Sequence, residues 1–431
     1  MSNNGVTTRW RLAIGAVVVT FLATACGGGA SGTAQSTGKG PVAEPTKPVT
    51  ITFSSWIGSE PSIKKMADEF HKEHPNITIS FQNLPAEESG QKLTAQVAGG
   101  NAPDAAFVDA STVAGFASRG ALVNLDDYIS RGKIVDPSDY VAAFKTFTTF
   151  KNSMYGLPFD GESTALFYRT DRFQEAGITS PPTTWDEFEA DAKQLTDPAH
   201  KKYGIAMFAP ESAYYWYPWL WQAGGEVLDK NGKIAFNSEA GKKAAEFYVG
   251  LTKYSPKDYL NSNSYDGRVA FANAQVGMYV AGAWFAGTLD QEFPKIKGKW
   301  AVAPLPKGTA GCGTTIAGDA LTLFRGKNQD AAWKWIEFLS KPDNMAEWTY
   351  KSEGSTLLPP RKSLLASPDL VKEKPILKGF ADAMKCGVSN VIADPNWGRM
   401  EESLNKELGK AMYGDQSADA ALDAAASSGG N

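Results

Sequence analysis

From residue 49 onwards the apolar positions follow two periods in turn. Val49, Ile51 and Phe53 are separated by Thr50, Thr52 and Ser54, which predicts a half-buried strand ending at Trp56. Ile63, Met66, Ala67 and Phe70 then fall at i, i+3, i+4 and i+7, the spacing of an amphipathic helix, and His74-Pro75-Asn76 breaks it. Ile77, Ile79 and Phe81 predict a second strand. Leu93 to Val97 fits a second helix stopped at Gly99-Gly100, and Ala105-Ala106-Phe107-Val108 a third strand. Strand and helix alternating in this way predict an α/β layer with a largely parallel sheet. In open α/β sheets, ligands collect beyond the carboxyl ends of the strands. That rule nominates Trp56 after the first strand, Glu87 and Glu88 after the second, and Asp109 with Ser111 after the third. Trp56 could equally anchor the core, and Glu87 and Glu88 could equally favour a helix N-terminus.

Two later segments change the picture from fold to chemistry. Tyr155-Gly156-Leu157-Pro158-Phe159-Asp160-Gly161-Glu162 leads into a strand-like run from Thr164 to Tyr168. Tyr214-Tyr215-Trp216-Tyr217-Pro218-Trp219-Leu220-Trp221 packs six aromatic rings into eight residues, more than a surface segment normally carries. A sugar ring has one face of C–H bonds and a rim of hydroxyls. Aromatic planes bordered by Asp, Glu, Asn or Arg therefore suit it, and the alternative for each ring is the core.

The start of the chain bears on where this chemistry operates. Arg9 and Arg11 precede an apolar run from Leu12 to Leu22, followed by Ala23-Thr24-Ala25 and then Cys26-Gly27. A positive start, a short hydrophobic stretch and small residues form a secretory signal, and the run is shorter than the roughly 20 residues a membrane span needs. Small residues before Cys-Gly resemble a bacterial lipobox, in which the cysteine is lipidated and becomes the mature N-terminus. Ala23 stands where a lipobox usually has Leu. Lipid anchoring through Cys26 to the outer face of the cell membrane is the expectation, with plain secretion the alternative. The Gly, Ser, Thr and Pro that follow, up to Pro48, read as a flexible tether. About 380 mature residues exceed one compact core, so two domains are expected. A net charge of -4 and a pI near 5.6 leave no basic patch for nucleic acid. Cys312 and Cys386, each beside glycine in an oxidising compartment, are expected to form one disulfide, with free thiols the alternative. Three histidines offer little for a metal site, and His71 and His74 read as a solvated helix face.

At Met278-Tyr279-Val280-Ala281-Gly282-Ala283-Trp284-Phe285, an apolar strand and Gly-x-Trp resemble the family 1 extracellular solute-binding proteins, the maltose-binding-protein-like receptors of ABC importers. The remaining motifs follow in family order. They are Pro103-Asp104, Gly120-Ala121-Leu122-Val123-Asn124-Leu125-Asp126, Tyr155-Gly156-Leu157-Pro158, Thr184-Trp185-Asp186-Glu187-Phe188, Ala303-Pro304-Leu305-Pro306 and the helix Ala331 to Leu339. The resemblance implies a two-lobed, type II periplasmic-binding-protein-like α/β fold. Its ligand cleft lies between the lobes, and the chain crosses near 160–165, 303–306 and 340–346. The expected division is a signal peptide at 1–25 and a linker at 26–48. An N-terminal lobe takes 49–162 plus 304–342, a C-terminal lobe 163–303 plus 343–422, and a disordered tail 423–431.

The resemblance also implies site residues. Tyr214, Trp284 and Trp397 resemble the family's sugar-stacking rings, and Asp109, Ser111, Glu87 and Glu88 lie near its polar contacts in the first lobe. Arg361 is similar to an arginine used by several relatives. Asp319 follows Gly318 where many relatives have a Gly-Gly pair, and Asp160, Trp216 and Trp56 complete the expected set. The implied role is capture of a carbohydrate, from monosaccharide to short oligosaccharide, by a monomer that delivers it to permease subunits driven by a cytoplasmic ATPase. Neither catalysis nor a cofactor belongs to that scheme. Three alternatives compete. Tyr214-Tyr215 could serve as phenolate ligands of ferric iron. Asp109, Asp160, Glu162 and Asp319 could supply the paired carboxylates of an exported glycoside hydrolase. A polyol or glycerol phosphodiester could replace the sugar.

Overall fold

Residues 40–260, 264–389 and 396–429 are described by a computed structural model. Cys26 and the whole segment read as a signal lie outside the described residues. In chain order the strands are β1 (Val49–Ser55), β2 (Ile77–Asn83), β3 (Ala105–Asp109), the pair β4 (Thr149–Phe150) and β5 (Ser153–Met154), β6 (Gly156–Pro158) and β7 (Glu162–Ser163). Then come β8 (Ala165–Arg169), β9 (Tyr203–Ile205), β10 (Val276–Ala281), β11 (Trp300–Ala303), β12 (Thr314–Ala317), β13 (Asp319–Leu323) and β14 (Gly387–Ser389).

Three of the patterned strands open the N-terminal lobe as expected. Its sheet runs β2-β1-β3-β13-β6, with β1 parallel to both β2 and β3. Late in the chain β13 returns antiparallel to β3, and β6 pairs antiparallel to it on the other side. Side chains alternate between two cores, because successive residues of a strand point to opposite faces. Phe53, Phe107 and Leu321 meet Trp335 on one face, while Ala106, Val108 and Ala320 meet Phe116 and Phe324 on the other. The C-terminal lobe repeats this plan with the order β11-β8-β10-β9. β10 is buried along its whole length, since helices cover both faces. Met278 and Val280 share a core with Trp216 and Trp219, and Tyr279 and Ala281 one with Phe271 and Phe285.

A third sheet, β14-β12-β7, is built at the crossings. The first crossing runs from β6 through Phe159–Gly161 into β7 and β8. The second leaves β12 at Ala317, passes Gly318 and enters β13; a Cβ on Gly318 would lie 2.5 Å from the Asp160 carbonyl oxygen, so only glycine allows this approach. The third follows Met345, which packs in the N-terminal core, into Ala346 and Tyr350, which pack in the C-terminal one. It then folds back, where Gly161 and Leu358 exchange two backbone hydrogen bonds of 2.8 Å.

The structure corrects three boundaries. Residues 304–313 do not join the N-terminal lobe. Lys307 and Ala310 donate their N–H groups to the carbonyls of Thr183 and Gln222, both at 2.9 Å, and Leu305 packs in the same core as Trp219. Pro304 and Pro306 end the β11 ladder, as proline must, but the chain crosses only at Ala317–Asp319. Residues 40–48 are not a free tether: Val42 is buried in the N-terminal core, and Glu44 bonds His74 at 2.9 Å and Lys334 at 2.6 Å. Residues 423–429, read as part of a disordered tail, belong instead to the helix Ala418–Gly429, with Ala425 fully buried. Alanine is the best helix former, and that propensity outweighed the tail-like composition. Cys312 and Cys386 form the disulfide, with Cα atoms 5.7 Å apart, joining the approach to β12 to that of β14. Among the described residues no helix is long and apolar enough to cross a membrane.

Candidate functional site

The crossings gather carboxylates from elements far apart in sequence. At the end of β3, Asp109 accepts the N–H of Ser111 at 2.8 Å and so caps the turn Ala110–Thr112. This turn lies against the helix Trp397–Tyr413 of the other lobe. The antiparallel register of β3 and β13 sets Asp319 directly opposite Asp109. Asp160, in the first crossing and only 2% exposed, accepts the Asp319 N–H at 3.2 Å and the indole N–H of Trp348 at 2.6 Å. Two residues on, Glu162 Oε1 accepts the hydroxyl of Tyr214 at 2.7 Å. The other oxygen, Oε2, is enclosed and has no donor among the described residues. It rests on Gly282, where a Cβ would come within 1.7 Å of it. The glycine of Gly-x-Trp thus makes room for a carboxylate of the first crossing. Behind these, Tyr217 donates to Glu401 at 3.3 Å.

Electrostatics follow from that crowding. Burial pushes the Asp160 carboxyl up to about 6, against the two N–H donors that hold it down. Burial likewise lifts Glu162 to about 7, opposed by the Tyr214 hydroxyl, and Glu401 to about 8. Asp319 is held well above the carboxylate range by burial and by the charges of Asp160, Asp109 and Glu162. No ion pair among the described residues ends on any of these groups. Carboxyls raised in this way offer both acceptor oxygens and O–H donors, which suits a partner bearing several hydroxyls.

Aromatic rings border the acids. Trp284 is half-buried at the start of the helix Trp284–Glu292, and the Arg268 guanidinium lies 4.7 Å from its ring centre. Tyr214 is half-buried beside Glu162. On the N-terminal side, Trp56 meets Phe107 at 4.6 Å and Trp348 lies flat on Phe159, 6.1 Å apart with 7° between planes.

Of the residues expected from sequence, Asp109, Ser111, Asp160, Tyr214, Trp284 and Asp319 are brought to these crossings and the turn beside them. Trp216 is not. It is 0% exposed in the C-terminal core, 6.0 Å from Tyr217 and 6.5 Å from Phe236. Trp397 is 1% exposed and packs 6.0 Å from Tyr217, so it presents no open face for stacking. Arg361 is likewise structural, donating to Asp139 at 2.7 Å and to the Ser340 carbonyl at 3.1 Å. Glu88 is exposed and pairs with Lys92 on its own helix at 2.6 Å. Glu87 begins that helix, and its side chain lies outside the described residues. Tyr214 binds a carboxylate and Tyr215 is buried in the core, an arrangement unlike a pair of phenolate ligands. Sequence reasoning counted Glu162 only as material for hydrolysis; its place two residues after Asp160, in the same crossing, was the usable signal. Trp348 and Glu401 carry no local signal.

Comparison with known proteins matches this architecture. Residues 55–346 match the family described as bacterial extracellular solute-binding protein. A protein of Brucella abortus described as a binding protein is 28% identical over 309 residues, covering 68% of this chain and 72% of its own length. A solute-binding protein of an ABC transporter from Thermotoga lettingae, solved with α-D-tagatose, superposes with a TM-score of 0.80 at 24% identity, covering 89% of this chain and 99% of its own. The GacH receptor of Streptomyces glaucescens, solved unliganded and with acarbose, superposes with a TM-score of 0.77 at 26% identity, covering 88% and 96%.

Proposed function

The chain belongs to the bacterial extracellular solute-binding proteins, and on that premise we propose that it captures a carbohydrate or polyol between its lobes and delivers it to the permease of an ABC importer. The observation that carries the reading is Glu162 Oε2, an enclosed acceptor without a donor among the described residues, held beside Tyr214 and Trp284. A sugar hydroxyl supplies the missing donor, and leaving such a group unpaired costs about 1–3 kcal/mol. Asp109 and Asp319 add acceptors from the N-terminal lobe, so ligand contacts come from both sides. That is the condition for binding to shift a hinge equilibrium. The carbohydrate and sugar-analogue ligands of structurally similar receptors support the same ligand class.

In this proposal the lobes are 40–158 with 319–345, and 164–317 with 346–429, moving about the three crossings. Cys26 is lipidated at the outer face of the cell membrane and tethers a monomeric receptor near its importer, whose membrane subunits work with a cytoplasmic ATPase. Two acyl chains, at about 0.8 kcal/mol per buried CH₂, make the attachment durable. A thermal-shift screen across mono-, di- and oligosaccharides and polyols tests the ligand class. Ligand at 100 times Kd adds about 2.7 kcal/mol of stability. Absence of a shift with every sugar and polyol would sink the proposal, and turnover of a chromogenic glycoside would replace it with the hydrolase.

A further inference from the structure

Asp160 differs from the other acids in where its two oxygens go. It sits in the first crossing. Oδ1 accepts the N–H of Asp319, at the end of the second crossing, at 3.2 Å. Oδ2 accepts the indole N–H of Trp348, on the third, at 2.6 Å. Backbone ties bracket the same residue. Phe159 donates its N–H to the Asp319 carbonyl at 2.9 Å, and Gly161 exchanges two bonds with Leu358. The Trp348 ring lies flat on Phe159, and Gly318 lets the second crossing approach to contact. Trp348 itself stands in one π-helical turn, Glu347–Lys351, a local distortion frequent at functional sites.

One buried carboxylate, itself in the first crossing, is thus bonded from the other two. We propose that Asp160 is the pin of the hinge, positioned by Trp348, and that its hydrogen bonds set the resting balance between open and closed lobes. This rests on the receptor reading above, because a pin matters only where lobes move. Hinge closure changes backbone angles in every crossing. A shared acceptor makes those changes concerted, and a ligand then shifts a balance already set by the protein. The Asp319 and Trp348 N–H groups bond an ionised carboxylate more strongly than a neutral acid, and the Asp319 carboxyl, held protonated, also hydrogen-bonds Asp160. Asp109 from β3, Asp319 from β13 and Glu162 from β7 face this group, and Glu347 beside Trp348 is engaged by Lys65 at 3.7 Å. Neutralising Asp160 weakens both ties.

The test is the ligand-free interlobe distance distribution, read by pulsed electron paramagnetic resonance from spin labels at exposed Lys72 and Lys230, introduced as Lys72→Cys and Lys230→Cys. Trp348→Phe keeps an aromatic ring against Phe159 and removes the donor. Asp160→Asn keeps the shape and removes the charge. Each is expected to broaden or shift the distribution at pH 7.5, and the double variant to go little beyond the larger single effect, because both act on one bond. Lowering the parent to pH 5 is expected to move it in the same direction. Superimposable distributions for the parent and both variants, or fully additive effects, would overturn the proposal. Should Asp160→Asn fail to fold, Trp348→Phe and the pH series decide. Because no ligand is present, the result is independent of the sugar screen. A receptor whose melting responds to sugar but whose distribution ignores both substitutions has the proposed function without the pin.

Discussion

Gly282→Ala separates the site from the scaffold that holds it. A methyl group here would stand 1.7 Å from Glu162 Oε2 and 2.7 Å from Trp284 Cδ1, both impossible contacts. The nearest obstacle is the end of a flexible side chain, so relief comes from swinging the Glu162 carboxylate aside and not from moving the backbone. Doing so breaks the 2.7 Å bond from Tyr214 and removes the free acceptor. A hydrogen bond to a charged group contributes about 1.5–3 kcal/mol, which corresponds to roughly a 10- to 100-fold loss of sugar affinity. Losing the Tyr214 bond also lowers ligand-free stability, by about 1–3 kcal/mol, a melting shift of a few degrees with the fold intact. Isothermal titration with the best sugar from the screen reads the affinity, and a melting curve without ligand reads the fold. In a Glu162→Ala background the clash with the carboxylate is gone and only the contact with Trp284 Cδ1 remains, so Gly282→Ala should cost less affinity there than in the parent. A folded Gly282→Ala protein that binds within about twofold of the parent would refute the claim that this glycine seats a ligand-binding carboxylate.

Other outcomes follow from burial and charge. Trp284→Ala should weaken sugar binding with the fold intact, whereas Trp397→Ala, which removes a core ring, should cost about 3–5 kcal/mol in urea unfolding; the reverse pattern would exchange their roles. Glu162 and Glu401 have carboxyls raised from 4.5 to about 7 and about 8, so between about pH 4.5 and 8 the folded protein holds more protons than the unfolded chain. Ligand-free stability should therefore fall as pH rises through that window, and a melting temperature climbing from pH 5 to 8 would contradict buried acids there. Opening Cys312–Cys386, with a sequence separation of 74, should cost about 4 kcal/mol by loop entropy, read by unfolding with and without reductant. Cys26→Ser protein should leave the membrane fraction yet bind sugar unchanged; retention on membranes would end the lipid-anchor proposal.

Several features of this protein were legible from the order of residues alone. The period-2 runs at 49–53 and 77–81 and the i, i+3, i+4 spacing at 63–70 became β1, β2 and the helix between them. The family's motifs, in order, led to a two-lobed α/β fold. The strand-end rule singled out Asp109, which stands at the end of β3 opposite Asp319, and cysteine chemistry singled out the pair Cys312 and Cys386, which form a disulfide. Such signals are legible because neighbours in sequence carry them: the period of an element depends only on its own residues.

What escaped sequence reasoning depended on partners elsewhere. Nothing near Arg361 announces Asp139, 222 residues away, and nothing near Trp348 announces Asp160, 188 residues away. The rings of 214–221 show that an aromatic helix exists but not which faces are enclosed. Tertiary packing buried Trp216 and left Tyr214 beside Glu162. The return crossing fell at Gly318 because only there can the second chain approach the first closely, not at the prolines that merely end a strand. Local spacing therefore determined the elements and the family, while closure of three distant crossings on one another decided which acids stand together.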